Sequence, residues 1–335
     1  MKPLVSVIIP AYNSARYISR AISSAIAQTY KDIEILVVDD GSTDRTADIV
    51  RSFGDPRIKY FYQENRGQGA ARNNGIRISK GEYVTFLDSD DFYLPEKIDK
   101  QVNFLETNPE HQAVYCNALH FYSERSNKLF KLKGTCPSGD IFRDLLQAGI
   151  INLNTFMAHR HIFKAGLMFR EGRHGRYAEE WDLYLRIARA GFKFGYLDED
   201  LVIVEVREGS NTTWDIQPIM KENVVKMLES LFSEMNESEK ALHRADKVLK
   251  QQKTKLAIAY LVNKDKQAFG RIVPSLVPKT CAWLLKIAIH VIPADLLRSM
   301  LISAWKIRQR RYLYKPVQVQ PHVYEQIRAL QALSG

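Results

Sequence analysis

The stretch "GEYVTFLDSDDFYLP", residues 81–95, decides how this chain is read. Tyr83 to Leu87 is an apolar, β-prone run suited to a buried strand. It runs directly into three carboxylates within four positions, Asp88, Asp90 and Asp91. Neighbouring carboxylates repel and raise one another's pKa, so crowding them at a strand end points to a cation between them. The competing reading is a set of acids stabilising the N-terminus of a helix begun by "LPEKIDKQV".

Working outward, the first hundred residues alternate strand and helix. "LVSVII" (4–9) and "IEILVV" (33–38) are short β-branched runs, and Ile18, Ile22 and Ile26 between them recur at the four-residue step of a helix face. "GSTDRTADIVRSF" reads as a helix capped by Ser42 or Thr43 and opened by Asp44. The strand "IKYFY" and an Ala- and Arg-rich helix in "GAARNNGIRISK" follow. This order predicts an α/β fold with a Rossmann-like, mixed but mainly parallel sheet and helices on both faces. In such sheets ligands lie at the carboxyl ends of strands, where "PAYN", "DDGSTD" and "DSDD" all fall.

Residues 111–214 are mixed. "AVYCNALHFY" and "FGYLDEDLVIVEV" read as strands, and "EEWDLYLRIARAG" as a helix with Leu183, Ile187 and Ala190 inward and Gly191 as its stop. Beyond residue 214 the texture changes to long helical periodicity. The expected organisation is therefore 1–105 and 106–214 as two halves of one α/β domain, and 215–335 as a basic, amphipathic helical extension.

Charge follows the same division. The net charge is +10. Residues 216–335 hold 20 Lys and Arg against 9 Asp and Glu, while residues 1–215 are close to neutral. A near-neutral lobe for chemistry and a basic one for an anionic surface is the implied arrangement. Cys116, Cys136 and Cys281 lack metal-ligand spacing, and the first residues do not form a signal peptide, so a reducing, cytoplasmic location is expected.

Five motifs, "VSVIIPAYN", "VVDDGSTDRT", "GAARNNGI", "GEYVTFLDSDD" and "EEWDLYLRIA", in this order and spacing, resemble the inverting family 2 glycosyltransferases of GT-A fold over residues 3–210. The resemblance implies a nucleotide-diphospho-sugar donor, with uridine favoured, and a divalent Mn²⁺ or Mg²⁺ that neutralises the departing diphosphate. It assigns Pro10, Ala11, Tyr12, Asp39, Asp40, Arg72, Asp88 and Ser89 to the donor. Asp90 becomes the direct metal ligand, and Asp88 a second ligand or a contact to ribose or metal-bound water. The competing reading of Asp39 and Asp40 is a turn-forming pair before Gly41.

The resemblance also implies a general base in the acidic pair Glu179-Glu180. The base position falls on Glu180, one methylene longer than the Asp usual in relatives, and Glu can perform the same proton transfer. Glu205 and Arg207 stand where relatives often carry Arg-x-His, and an arginine cannot ligate a metal. Arg170, Arg173, His174 and Arg176 precede the base; Arg173, Arg176 and Arg207 are candidates for gripping diphosphate or an acceptor phosphate.

Between residues 279 and 315 apolar faces with Trp283 and Trp305 are interrupted by charge, and no stretch reaches a membrane span. Six basic residues and no acid lie from Arg298 to Lys315, the pattern of helices lying in an anionic bilayer interface; the competing reading is a helical subdomain that packs on the α/β domain or on a second copy. The expected activity is sugar transfer to a surface-polysaccharide or lipid-linked precursor on the inner face of the cell membrane. The alternative is a non-catalytic sugar-nucleotide-binding or scaffolding protein. A homo-oligomer is compatible with the helical extension. A nucleic-acid partner is disfavoured because the aromatics accompany aliphatic helical faces, and a nucleotidyltransferase because no Gly-rich phosphate loop opens the chain.

Overall fold

The computed structural model describes residues 2–122, 128–132, 136–172, 178–206, 216–276, 314–317 and 321–332. The chain forms two compact units. One comprises residues 1–173, 179–207 and 315–335, the other residues 174–178 and 208–314.

The first unit is built on one sheet. Strands β1 (Val5–Ala11), β2 (Ile33–Asp39), β3 (Ile58–Tyr62) and β4 (Tyr83–Phe86) are parallel, in the order β3-β2-β1-β4. Every residue of β1, β2 and β4 is buried, as β-branched strands covered on both faces must be. Pro10 fits in β1 because the pairing with β4 ends at Ile8, so its missing N–H costs no rung on that side. Helices α1 (Ile18–Ile26), α2 (Thr46–Ser52) and α3 (Gln68–Ile78) link these strands. Because α1 leads to β2 on one side of β1, and α3 returns the chain to β4 on the other, the connections diverge at the carboxyl ends of β1 and β4, where such sheets open a crevice.

Helix α3 lies directly on β1. A Cβ at Gly75 would stand 2.4 Å from Ile8 Cγ2, so only glycine permits this approach. That contact fixes the depth of Arg72, one turn earlier on the same helix.

The second half of the sheet is mixed. After the two-residue β5 (Phe92–Tyr93) and helix α4 (Lys97–Thr107) come β6 (Ala113–Tyr122) and β7 (Lys128–Leu132). Helix α5 (Phe142–Gln147), β8 (Phe156–His159), α6 (Arg160–Lys164), α7 (Glu179–Arg189) and β9 (Phe194–Glu205) complete it. Strand β8 runs antiparallel between β4 and β6, β9 parallel to β6, and β7 antiparallel to β6.

Most elements coincide with the sequence expectation, and the differences have local causes. Helix α2 begins at Thr46, not beside Ser42 or Thr43, because the Asp44 carboxylate accepts the Thr46 N–H while Ser42 and Thr43 bond Asn13. Helix α7 ends at Arg189 with Gly191 at φ +88°, which leaves Ala190 exposed and puts Ala188 in the core beside Leu183 and Ile187.

In the second unit, helices α8 (Gln217–Ser233), α9 (Glu237–His243), α10 (Ala245–Val262) and α11 (Lys266–Ile272) are described. Arg244, at φ +53°, breaks the long helical run between α9 and α10. Val225, Leu256, Ala257, Tyr260, Ala268 and Phe269 form its core. The expected extension over 215–335 is thus divided. Beyond the short β10 (Tyr314–Val317), helix α12 (Pro321–Ala332) belongs to the first unit, where Val323 and Ile327 pack with Phe92, Leu119, Phe121, Leu129 and Ile203. Among the described residues no helix is long and apolar enough to cross a membrane. The tryptophan-bearing segment expected at an interface lies almost wholly outside the described residues.

Candidate active site

The acidic turn after β4 is held from several sides. Arg20 on α1 donates to the Asp90 carbonyl at 3.2 Å and pairs with Glu205 at the end of β9. The Glu205 N–H donates to Asp91 Oδ1 at 2.9 Å, and Asn154 Nδ2 donates to Asp91 Oδ2 at 2.7 Å. Asp91 is therefore a buried structural acid that anchors the turn. Asn154 Oδ1 accepts the Asp88 N–H at 2.6 Å, and Ser89 Oγ shares a 2.7 Å hydrogen bond with Ser14 Oγ. With Asp91 committed inward, Asp88 and Asp90, both partly exposed, are the carboxylates the turn presents.

Across from the turn stands Arg72, fully buried on α3. Its Nη2 donates to Asp88 Oδ1 at 2.8 Å and lies 3.3 Å from Glu180 Oε1, while Nη1 is 3.7 Å from Glu179 Oε1. Burial by itself would lower the pKa of this guanidinium. Asp88, Glu180 and Glu179 outweigh that and hold it above its ordinary value. One cation thus serves three carboxylates from two elements.

Glu180 differs from Glu179 in what it can do. Burial pushes its pKa up to about 7, Asp88 and Glu179 add to the rise, and Arg72 opposes it. Even so, a third of its side chain faces solvent, against 11% for Glu179. Glu180 is the member of the pair that another molecule can reach, and its affinity for a proton is that of a base near neutrality. The Leu153 amide beside its carboxylate also opposes the rise.

Helix α7 is attached to the rest of the site through α3. Asn73 exchanges two 2.9 Å hydrogen bonds with the Phe169 backbone, and its amide also reaches Glu171, which Arg66 and Arg77 hold as well. Asp182 on α7 pairs with Arg186 and Arg170. The "ARNN" sequence therefore supplies the central cation and the tie to the chain that leads toward the acidic pair.

On the other side of β1 the strand-end loops interlock. Asn13, at φ +48°, accepts from the Thr43 N–H, and its own N–H goes to Ser42 Oγ. Asp39 accepts from the Ser42 N–H and the Tyr60 hydroxyl, which makes it a turn-forming acid. Asp40 accepts from Gln63 Nε2 and from the Arg66 and Gly67 amides, so it orders the approach to α3. Gly41, at φ +83°, packs so tightly on Asn65 that a Cβ would lie 2.9 Å from its nitrogen. Ala11 is buried and accepts the Asp40 N–H, whereas the ring of Tyr12 is 53% exposed, open to a flat partner.

Of the residues expected at the site, Asp88, Arg72, Glu179 and Glu180 meet directly, and Ser89 and Asp90 share the same turn. Pro10, Ala11, Tyr12, Asp39 and Asp40 line the neighbouring strand ends. Arg173, His174, Arg176 and Arg207 lie outside the described residues. Asn154 and the Arg20–Glu205 pair were not expected. Asn154 lies in an unremarkable "NLNT", and no local pattern connects Arg20 to a glutamate 185 positions away. Among the described residues no three His, Cys, Asp or Glu side chains form a metal cage. An Mg²⁺ or Mn²⁺ carried by a diphosphate takes only one or two protein carboxylates, and the oxygen donors of Asp88 and Asp90 suit that role.

Residues 6–167 match the family model described as glycosyl transferase family 2. An uncharacterized glycosyltransferase of Rickettsia typhi is 39% identical over 63% of this chain and 66% of its own length. One from Haemophilus influenzae is 36% identical over 52% of this chain and 70% of its own. Chondroitin synthase of Escherichia coli is 31% identical over 70% of this chain but only 33% of that protein. The match thus spans just under two thirds of the Rickettsia typhi relative and about one third of the longer Rickettsia conorii one. Among solved structures, residues 1–349 of Staphylococcus aureus TarS, in complex with UDP-GlcNAc, superpose with a TM-score of 0.60 at 19% identity, covering 92% of each chain. The mannosyltransferase PcManGT of Pyrobaculum calidifontis, in complex with GDP-Man and Mn²⁺, gives 0.58 at 19% identity, over 100% of this chain and 85% of that one. The fold is that of these GT-A enzymes, and by sequence the chain belongs to glycosyl transferase family 2.

Proposed function

We propose that this chain transfers a sugar, with inversion, from a nucleotide-diphosphate sugar to a hydroxyl of a surface polysaccharide or lipid-linked glycan precursor. The observation that carries this reading is the placement of Glu180, with a raised proton affinity and a partly exposed side chain, across one guanidinium from Asp88. Glu180 takes the proton of the acceptor hydroxyl as that oxygen bonds the anomeric carbon. The bond from that carbon to the donor's β-phosphate oxygen breaks in the same displacement, and the nucleoside diphosphate departs. A divalent metal held by Asp90 and Asp88 would neutralise the charge on that diphosphate. Tyr12 covers the donor base, Asp40 and the 63–67 backbone form its edge, and Asp88 and Ser89 face the ribose and sugar. Glu179 holds Arg72 from the buried side.

UDP is the favoured donor nucleotide. The relatives support a sugar-nucleotide donor in general: TarS was solved with UDP-GlcNAc, PcManGT with GDP-Man and Mn²⁺, and one relative is a chondroitin synthase. The basic surplus beyond residue 215 supports an acceptor at an anionic membrane surface.

The test is a panel of UDP- and GDP-sugars, each scored by thermal shift with and without Mn²⁺. Nucleotide release and the anomeric configuration of the product, read by NMR, complete it. A Mn²⁺-dependent shift with one donor, followed by an inverted product, supports the reading. A shift with no release in the presence of any polysaccharide or lipid-linked acceptor points to the non-catalytic alternative. Sedimentation with anionic and neutral vesicles tests the membrane surface, and equal partitioning into both places the acceptor in solution.

A further inference from the structure

The three-residue 3₁₀ turn Leu153–Thr155, just before β8, touches both halves of the site. We propose that Asn154 is a positioning residue that holds the acidic turn in the geometry that binds a divalent cation with a nucleoside diphosphate, in register with the Glu180 carboxylate. The proposal rests on the reading of Asp88 and Asp90 as the metal-binding pair.

Asn154 is 1% exposed, yet it lies at the centre of the site's polar contacts. Its Oδ1 accepts the Asp88 N–H at 2.6 Å. Its Nδ2 donates to Asp91 Oδ2 at 2.7 Å and points toward Asp88 Oδ2 at 3.5 Å. A carboxamide offers an acceptor and two donors in one plane, so a single side chain sets the Asp88 backbone and anchors Asp91. A hydroxyl cannot span both, and a carboxylate would face Asp91 as a like charge. The adjacent Leu153 amide faces the Glu180 carboxylate and favours its ionised form.

The turn is itself braced. Asn152 Oδ1 accepts the Asn154 N–H at 2.9 Å, Thr155 Oγ1 donates to the Asn152 carbonyl at 2.6 Å, and Gln101 on α4 donates to the Thr155 carbonyl at 2.7 Å. The acidic turn is therefore referred, through Asn154, to a fixed point on α4. Groups of this kind around ligating carboxylates change metal affinity or activity by roughly 10- to 100-fold when removed.

The test measures UDP binding by calorimetry, with and without Mn²⁺, on the full chain carrying Asn154→Ala or Asn154→Asp. The Mn²⁺-dependent gain, the ratio of UDP affinities with and without the metal, should fall by roughly 10- to 100-fold. The double variant Asn154→Asp with Asp91→Asn restores a donor and an acceptor between the two positions. It should recover both melting temperature and most of the Mn²⁺ gain, which keeps the test decisive if the single variants fold poorly. Recovery of melting temperature without the Mn²⁺ gain, or a wild-type gain in either single variant, overturns the proposal. The control Asp90→Asn separates the two claims. If Asp90→Asn loses the gain and Asn154→Asp keeps it, only the positioning role fails; if Asp90→Asn keeps it, the metal reading fails and this proposal with it.

Discussion

Arg72 Nη2 lies 3.3 Å from Glu180 Oε1 and 2.8 Å from Asp88 Oδ1, so one buried cation joins helix α7 to the acidic turn. Removing it leaves three carboxylates without their shared counterion. Breaking a fully buried pair costs about 3–5 kcal/mol, and the partial exposure of Asp88 and Glu180 brings the expected loss for Arg72→Met to about 2–3 kcal/mol. Arg72→Lys keeps the charge but loses the planar fork, and should fall between wild type and Met. Chemical denaturation of the three proteins checks this, and an Arg72→Met variant as stable as wild type contradicts it.

Glu180 makes stability and rate depend on pH in opposite senses. Its folded pKa, pushed up to about 7 by burial, stands above the ordinary 4.5. The fold therefore binds this proton more tightly than the unfolded chain. The resulting stabilisation is fully present below about 4.5 and is lost as pH rises through about 7. Metal-free Glu180→Gln should show a flatter fall in melting temperature across that window than wild type. If Glu180 is the base proposed above, the kcat/KM of wild type should rise with pH over the same range as its carboxyl loses the proton. Identical melting profiles for the two proteins would count against the assigned shift.

Neighbouring aspartates in the turn should respond differently. Asp91 is buried and accepts from Asn154 and Glu205, so Asp91→Ala leaves buried donors without partners and should cost about 1–3 kcal/mol. Asp90→Asn should keep the fold and lose Mn²⁺-dependent donor binding. Thermal shift with and without UDP and Mn²⁺ separates the two, and the reverse pattern would exchange their roles.

The parts of this arrangement legible in the sequence are those with a local signature. Strand-ending motifs located the acids, because buried β-branched runs that stop on polar residues mark the carboxyl edge of a parallel sheet. Arg72 was placed near the donor, but its bridging of Asp88 to the acidic pair was not readable, since it depends on how closely Gly75 lets α3 approach β1. The sequence leaves Asp91 between facing a cation and stabilising the N-terminus of the following helix. Its inward commitment depends on Asn154 and Glu205, which are distant in sequence and close only once β8 and β9 are in place. The division of the C-terminal segment was equally hidden, because an amphipathic helix does not specify which unit receives its apolar face.

Lys97 gives a prediction independent of the chemistry. It is fully buried, with Nζ 2.5 Å from Thr85 Oγ1 and 4.0 Å above the Tyr93 ring, and burial lowers its pKa to about 7. Because the folded value lies below the ordinary 10.5, the unfolded chain binds this proton more tightly. Stability from this group should therefore rise as pH increases from about 7 to about 10.5. Lys97→Met should be more stable than wild type at neutral pH by about 1–3 kcal/mol and should lack that rise. Urea denaturation at neutral and alkaline pH checks both, and a destabilised Met variant would show that the ammonium has a structural role beyond its hydroxyl and ring contacts.

Whether Glu180 is the base is decided by single-turnover kinetics measured beside donor binding. Glu180→Gln retains size and hydrogen bonding but cannot accept the proton. Its rate should fall by roughly 10²- to 10⁴-fold with donor affinity near that of wild type, while Glu179→Gln, altered on the buried side of Arg72, should lose far less. A wild-type rate in Glu180→Gln, or the full loss appearing in Glu179→Gln instead, would mean that Glu180 is not the base.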